Sequence, residues 1–127
     1  MSHALESYVS VMSSDYTKPI SLQAIKLIFE NLTESYHYDP AHPTKEGQKA
    51  RENMHNAATL AGMAFANAFL GINHSLAHKI GGEFGLPHGL AIAIAMPHVI
   101  KFNAVTGNVK RTPYPRYETY RAQEDYA

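Results

Sequence analysis

Apolar residues recur at helical spacing from the start of the chain, with Ala4, Leu5, Tyr8, Val9 and Met12 on one side of a first helix. Only Ser2 precedes them as a capping residue, so the chain reads as beginning inside a helix. A second amphipathic helix is predicted from Pro19, which suits a first helical turn, to about Asn31, with Leu22, Ile25, Phe29 and Leu32 as its apolar stripe. From Thr33 to Thr44 the two prolines and the mixture of Tyr, His and Asp leave no usable period, which predicts a loop. Thr44 then reads as the N-cap of a long helix through about Phe69. In it Ala50, Met54, Ala57, Ala58, Ala61, Ala64, Phe65 and Ala68 mark a small-residue face that lets a neighbouring helix approach closely.

A short helix follows from Asn73, and the Gly81-Gly82 pair with Gly85 is expected to end it. Pro87 suits the first turn of a last helix running to about Asn103. Leu90, Ile92, Ile94, Met96, Val99 and Ile100 leave that helix apolar almost all round, which predicts a central, buried position, with a bend at Pro97. No alternating strand pattern and no internal repeat appears, so the class is all-α, a helical bundle. The helical unit covers 1–105, and 106–127, rich in Tyr, Arg and Glu with little apolar spacing, reads as an extended surface tail.

Composition narrows the partners. At 127 residues the chain has the size of one domain, and its eleven basic and eleven acidic side chains cancel. No basic surface points to nucleic acid. The longest apolar run, Leu90 to Met96, is far shorter than the roughly 20 residues that cross a bilayer, and no charged-then-apolar leader opens the chain. A soluble, cytoplasmic protein is expected. With no cysteine, any metal site must be built from nitrogen and oxygen donors.

Such donors are concentrated in one segment. His74 and His78, spaced i, i+4, stack on one helix face, and His88 opens the next helix beyond the glycines. Neutral imidazole is the commonest transition-metal ligand, so this spacing suits a metal centre assembled from two consecutive helices. By spacing alone it equally suits a surface pair plus an unrelated histidine.

The run G-x2-H-x3-H-x9-H-G from Gly71 to Gly89, continuing through Met96-Pro97-His98, resembles the signature of the iron-containing alcohol dehydrogenases. The opening Ser2-His3-Ala4-Leu5-Glu6-Ser7-Tyr8 resembles that family's other metal segment, in which an aspartate precedes a histidine by four positions. The similarity extends over nearly the whole chain and is closest to the alcohol dehydrogenase half of bifunctional aldehyde-alcohol dehydrogenases. The resemblance implies part of the helical C-terminal domain, with His3, His74 and His88 as metal ligands. His78 would be the histidine on the substrate side that relays a proton or positions the alcohol, unless it is structural.

The family's aspartate ligand would lie before Met1, which implies a unit truncated at its N-terminus. Iron(II) is the metal implied, with zinc an alternative on intrinsic affinity. NAD would bind through a preceding α/β domain, since no glycine-rich turn between strand and helix appears in these residues. The parent activity implied is hydride transfer between NAD and a small primary alcohol or aldehyde, in a homo-oligomer, with the isolated chain inactive. A polyol-dehydrogenase or cyclising relative is disfavoured by the H-x3-H-x9-H spacing and the Pro87-His88-Gly89 turn. A stand-alone helical metal-binding or assembly module without catalysis is the alternative from another class.

Phe65, nine residues before His74, either lines the alcohol pocket or belongs to the core. Glu6 and Glu83 either complete a metal sphere or are solvated or paired carboxylates. His98 reads as hydrogen-bonded structure on a buried helix, while His37, His42 and His55 are assigned no chemistry. Tyr114, Tyr117 and Tyr120 read as surface or interface residues.

Overall fold

The computed structural model describes residues 1–104, which form α1 (Ser2–Tyr8), α2 (Thr17–His37), α3 (Lys45–Ala68), α4 (Ile72–Phe84) and α5 (His88–Ala104). Among the described residues there is no strand, and no helix is long and apolar enough to cross a membrane. The tail expected over 106–127, with its tyrosines, lies outside the described residues.

α2 and α3 form an antiparallel hairpin. Asn53 of α3 donates to Asn31 of α2 at 2.9 Å, while Ala61 of α3 shares a buried cluster with Ala24 of α2, so the pairing order reverses along the two helices. Thr44 caps α3 as expected: its Oγ1 accepts from the Gly47 N–H at 3.0 Å, and Glu46 sits favourably in the first turn. The buried face of α3 is the small-residue face, comprising Gly47, Ala50, Ala57, Ala61, Ala64 and Ala68. Ala58, expected on that face, is exposed.

This close approach decides which side of α2 turns inward, and of the predicted stripe Ile25 alone packs, partly buried, against the inner cluster. Leu22, Phe29 and Leu32 are 49%, 78% and 50% exposed, whereas Thr17, Ser21, Ala24, Ile28 and Ser35 are buried. Opposite a row of alanines the space between backbones is shallow, so small side chains fit and large ones are excluded to the outside. α2 also runs to His37 rather than Asn31. It stops where Pro40 pushes the chain out of helical conformation, Tyr38 already being extended at φ −59°, ψ 123°.

α1 lies across this hairpin. Ala4 joins Ala24 and Ala61, and Ser7 Oγ meets Ser21 Oγ at 2.9 Å, so small polar contacts again replace large apolar ones. α4 and α5 form a second hairpin around Ala77, Leu86, Ala91 and Ile92. The helix α4 passes through Gly81-Gly82 and stops only at Gly85, whose left-handed φ of 63° lets the N–H groups of Gly85 and Leu86 both reach the Gly81 carbonyl. The turn before His88 is therefore made by Gly85 alone, not by a glycine hinge.

α5 contains Pro97 within its helical span, as expected, but it is not central. One side, Ala91, Ile92, Ala95 and Val99, is buried, while Ile94 and Phe102 on other sides are 56% and 58% exposed. A helix apolar all round needs cover on more than one side, and among the described residues α5 packs chiefly on α4, with the edge of α1 beside it where Ser2 Oγ reaches Met96 Sδ at 3.5 Å.

Candidate metal centre

The site is organised by a buried carboxylate from the first helix. Glu6 Oε1 accepts the backbone N–H groups of Gly71 at 2.9 Å, Asn73 at 3.0 Å and His74 at 3.4 Å. These belong to the first turn of α4, where N–H groups have no partner within the helix, and Gly71 has no side chain to cap them. Glu6 thus caps a helix it does not belong to. Glycine eases this approach, because a Cβ at position 71 would stand 3.1 Å from Glu6 Oε1 and press the carboxylate away by a few tenths of an ångström.

The second oxygen of Glu6 accepts from His74 Nδ1. With its hydrogen on Nδ1, the His74 ring presents a lone pair at Nε2. That nitrogen is buried and has no protein partner. Leaving a buried acceptor unpaired costs about 1–3 kcal/mol, and a carboxylate behind the opposite ring nitrogen is how metal-binding histidines are held. The chemistry of this residue therefore fits a divalent ion.

Around His74 stand the other histidines. The His3 ring stacks on it with centroids 4.7 Å apart, and Phe65 covers the other face of His3 at 4.5 Å. His88 lies 5.6 Å from His74 and 5.1 Å from His78, which is itself 6.4 Å from His74. Burial pushes the His3 imidazole below its ordinary range, and His74, the N-terminal amine and His88 push it the same way against Glu6. A neutral ring is the form that ligates metals. The rings converge without gripping: among the described residues no group of three such donors is spaced to hold an ion, and His3 and His74 lie face to face.

His3, His74, His78, His88 and Phe65, drawn from four helices, are thus brought into one cluster. His74 is buried and His3 half-buried, while His78 and His88 are exposed, so the cluster opens to solvent on the α4–α5 side. His98 is exposed rather than buried, and Glu83 is exposed on α4. The organising role of Glu6 is the feature sequence reasoning missed. Its signal was its position three residues after His3, on the same face of α1.

Comparison with known proteins bears on what this cluster is. The model of the Fe-containing alcohol dehydrogenase family, C-terminal, matches residues 1–119. An aldehyde-alcohol dehydrogenase 2 of Entamoeba histolytica is 50% identical over 124 residues, which are 98% of this chain and 13% of that protein. The bifunctional aldehyde-alcohol dehydrogenase of Escherichia coli K12 is 46% identical over 127 residues, 100% of this chain and 14% of its own length. A 1-propanol dehydrogenase of Citrobacter freundii is 50% identical over 82% of this chain and 26% of its own. Among solved structures, a 1,3-propanediol oxidoreductase superposes with a TM-score of 0.71 at 35% identity, covering 98% of this chain and 33% of that one. The chain therefore spans a small part of the proteins it matches, and across nearly its whole length it belongs to the Fe-containing alcohol dehydrogenase family, in its helical C-terminal region.

Proposed function

We propose that the described helices of this chain are the metal-holding unit of an iron-dependent, NAD-linked alcohol dehydrogenase. The parent enzyme interconverts small primary alcohols and aldehydes by hydride transfer. His3, His74 and His88 are the protein ligands within this chain. The observation that carries this reading is His74, buried, fixed by Glu6 at Nδ1 and unpartnered at Nε2.

A bound divalent ion supplies Lewis acidity toward the substrate oxygen. The chain's own residues hold and position. Phe65 packs on His3 and sets one wall beside the ligands, where the carbon chain of the alcohol lies. His78, exposed and in contact with the His88 ring, carries the hydroxyl proton out to solvent, a task suited to an imidazole, whose two ring nitrogens can accept and donate a proton. In this reading the binding of NAD falls to another part of the parent protein. The exposed apolar side of α5 belongs in this reading against that remainder.

Zinc titration of the chain, followed by calorimetry, tests the proposal. One ion per chain is expected, with affinity falling as pH drops and protons compete for the imidazoles, and without turnover of alcohol by NAD. Absence of saturable binding would reject the metal reading, and steady turnover by the chain alone would reject the division of labour.

A further inference from the structure

We infer that Glu6 is a positioning residue of the metal centre: it selects the tautomer of His74 and ties that ring to the start of α4. This role rests on the metal reading above. Two simpler roles account for less. As a direct ligand Glu6 would have to turn an oxygen toward the ion, yet Oε1 is held by three backbone N–H groups and Oε2 by His74 Nδ1. As a helix cap alone it would need only Oε1, and the bond to His74 would be incidental.

The geometry makes the two halves of the carboxylate act together. Oε1 fixes where α4 begins relative to α1, and so how far His74 stands from His3, the ring before Glu6 on the same helix. Oε2 requires a donor at Nδ1, which leaves Nε2 as a bare, buried lone pair with no protein partner. Gly71 permits this by giving Oε1 access to the backbone. A carboxylate with one oxygen on the helix start and the other on the histidine couples folding of α4 to readiness of its ligand.

Glu6→Gln separates the cap from the tautomer. The amide oxygen still accepts the backbone N–H groups, while the amide NH2 now faces Nδ1 and donates to it, moving the ring hydrogen to Nε2. The experiment compares wild type and Glu6→Gln as metal-free and cobalt-titrated chains, with circular dichroism and nitrogen-15 resolved histidine spectra. We expect similar helicity, the Nδ1–H tautomer of His74 in wild type, the Nε2–H tautomer in the variant, and cobalt affinity lowered about 10–100-fold. A wild type that takes up no cobalt overturns the metal reading itself. A wild type that binds cobalt, beside a variant that binds it equally well, overturns only the role of Glu6. Should Glu6→Gln fail to fold, the wild-type spectrum decides, because an Nε2–H tautomer there also overturns the role.

Discussion

His3 of α1 lies face to face with His74 of α4, ring centroids 4.7 Å apart and planes 22° from parallel. Phe65 of α3 closes the opposite face of His3 at 4.5 Å and 21°. Three helices therefore fix one imidazole between two rings, and the pairing of the two proposed ligands is a product of tertiary packing.

Removing Phe65 should loosen His3 without removing a donor. Phe65→Ala is expected to lower stability by about 1–2 kcal/mol, less than the roughly 3–5 kcal/mol of a fully buried Phe, since the residue is only half-buried. Zinc affinity should fall less than on loss of any ligand. Denaturant unfolding and calorimetry of the variant check both, and unchanged values would place Phe65 outside the site.

Phe69, the residue that ends α3, has φ 61° and ψ −175°, a region that essentially only glycine occupies at ease. Its side chain is 60% exposed, so little burial is lost on replacement. Phe69→Gly is expected to raise stability by about 1 kcal/mol, strain relief exceeding the added freedom of the unfolded chain. A higher midpoint of urea unfolding is the expected result; a lower one would show that the Phe ring holds the turn.

Much of the fold was legible in the residues. Thr44, the alanine face of α3 and the placement of the histidines on consecutive helices all follow from local rules that the packing left intact. The buried side of α2 was not legible, because the choice between Leu22–Phe29–Leu32 and Ser21–Ala24–Ile28 is made by the depth of the partner's surface, not by hydrophobicity. The position of α5 was not legible either, because a uniformly apolar helix predicts a central place without saying what covers it, and Ile94 and Phe102 are exposed. At the site, spacing and resemblance named the histidines. The link from Glu6 to α4 spans residues far apart in sequence and needs the folded arrangement to appear.

The alanine interface gives the clearest stability test. Ala61 is buried against Ala4 and Ala24, so Ala61→Leu should overpack the three-helix contact and cost about 1–3 kcal/mol. Ala58→Leu, on the exposed side, should stay within about 0.5 kcal/mol of wild type. Thermal unfolding of the pair distinguishes the two faces, and equal effects would mean the helices do not pack as described.

The loop before α3 carries a pH-dependent contact. The His42 ring nitrogen at 2.8 Å, with the Ala41 N–H at 2.9 Å, holds the Asp39 carboxyl below its ordinary range. A depressed folded-state pKa means that its small contribution is present above the unfolded value, about 3.9, and is lost as pH falls through the folded one. Carboxyl carbon NMR should show Asp39 titrating below an unstructured aspartate, and His42→Ala should raise its midpoint. A midpoint unmoved by that substitution would show that the pair does not form.

The most direct measurement is metal content per chain, after zinc loading and dialysis, in wild type and in four single variants. His3→Ala, His74→Ala and His88→Ala should each lose the ion, whereas His78→Ala should keep nearly one equivalent, because the proposed role of His78 is proton transfer rather than ligation. A chain that keeps its ion after His74→Ala, or loses it after His78→Ala as completely as after His74→Ala, would contradict the proposed metal centre.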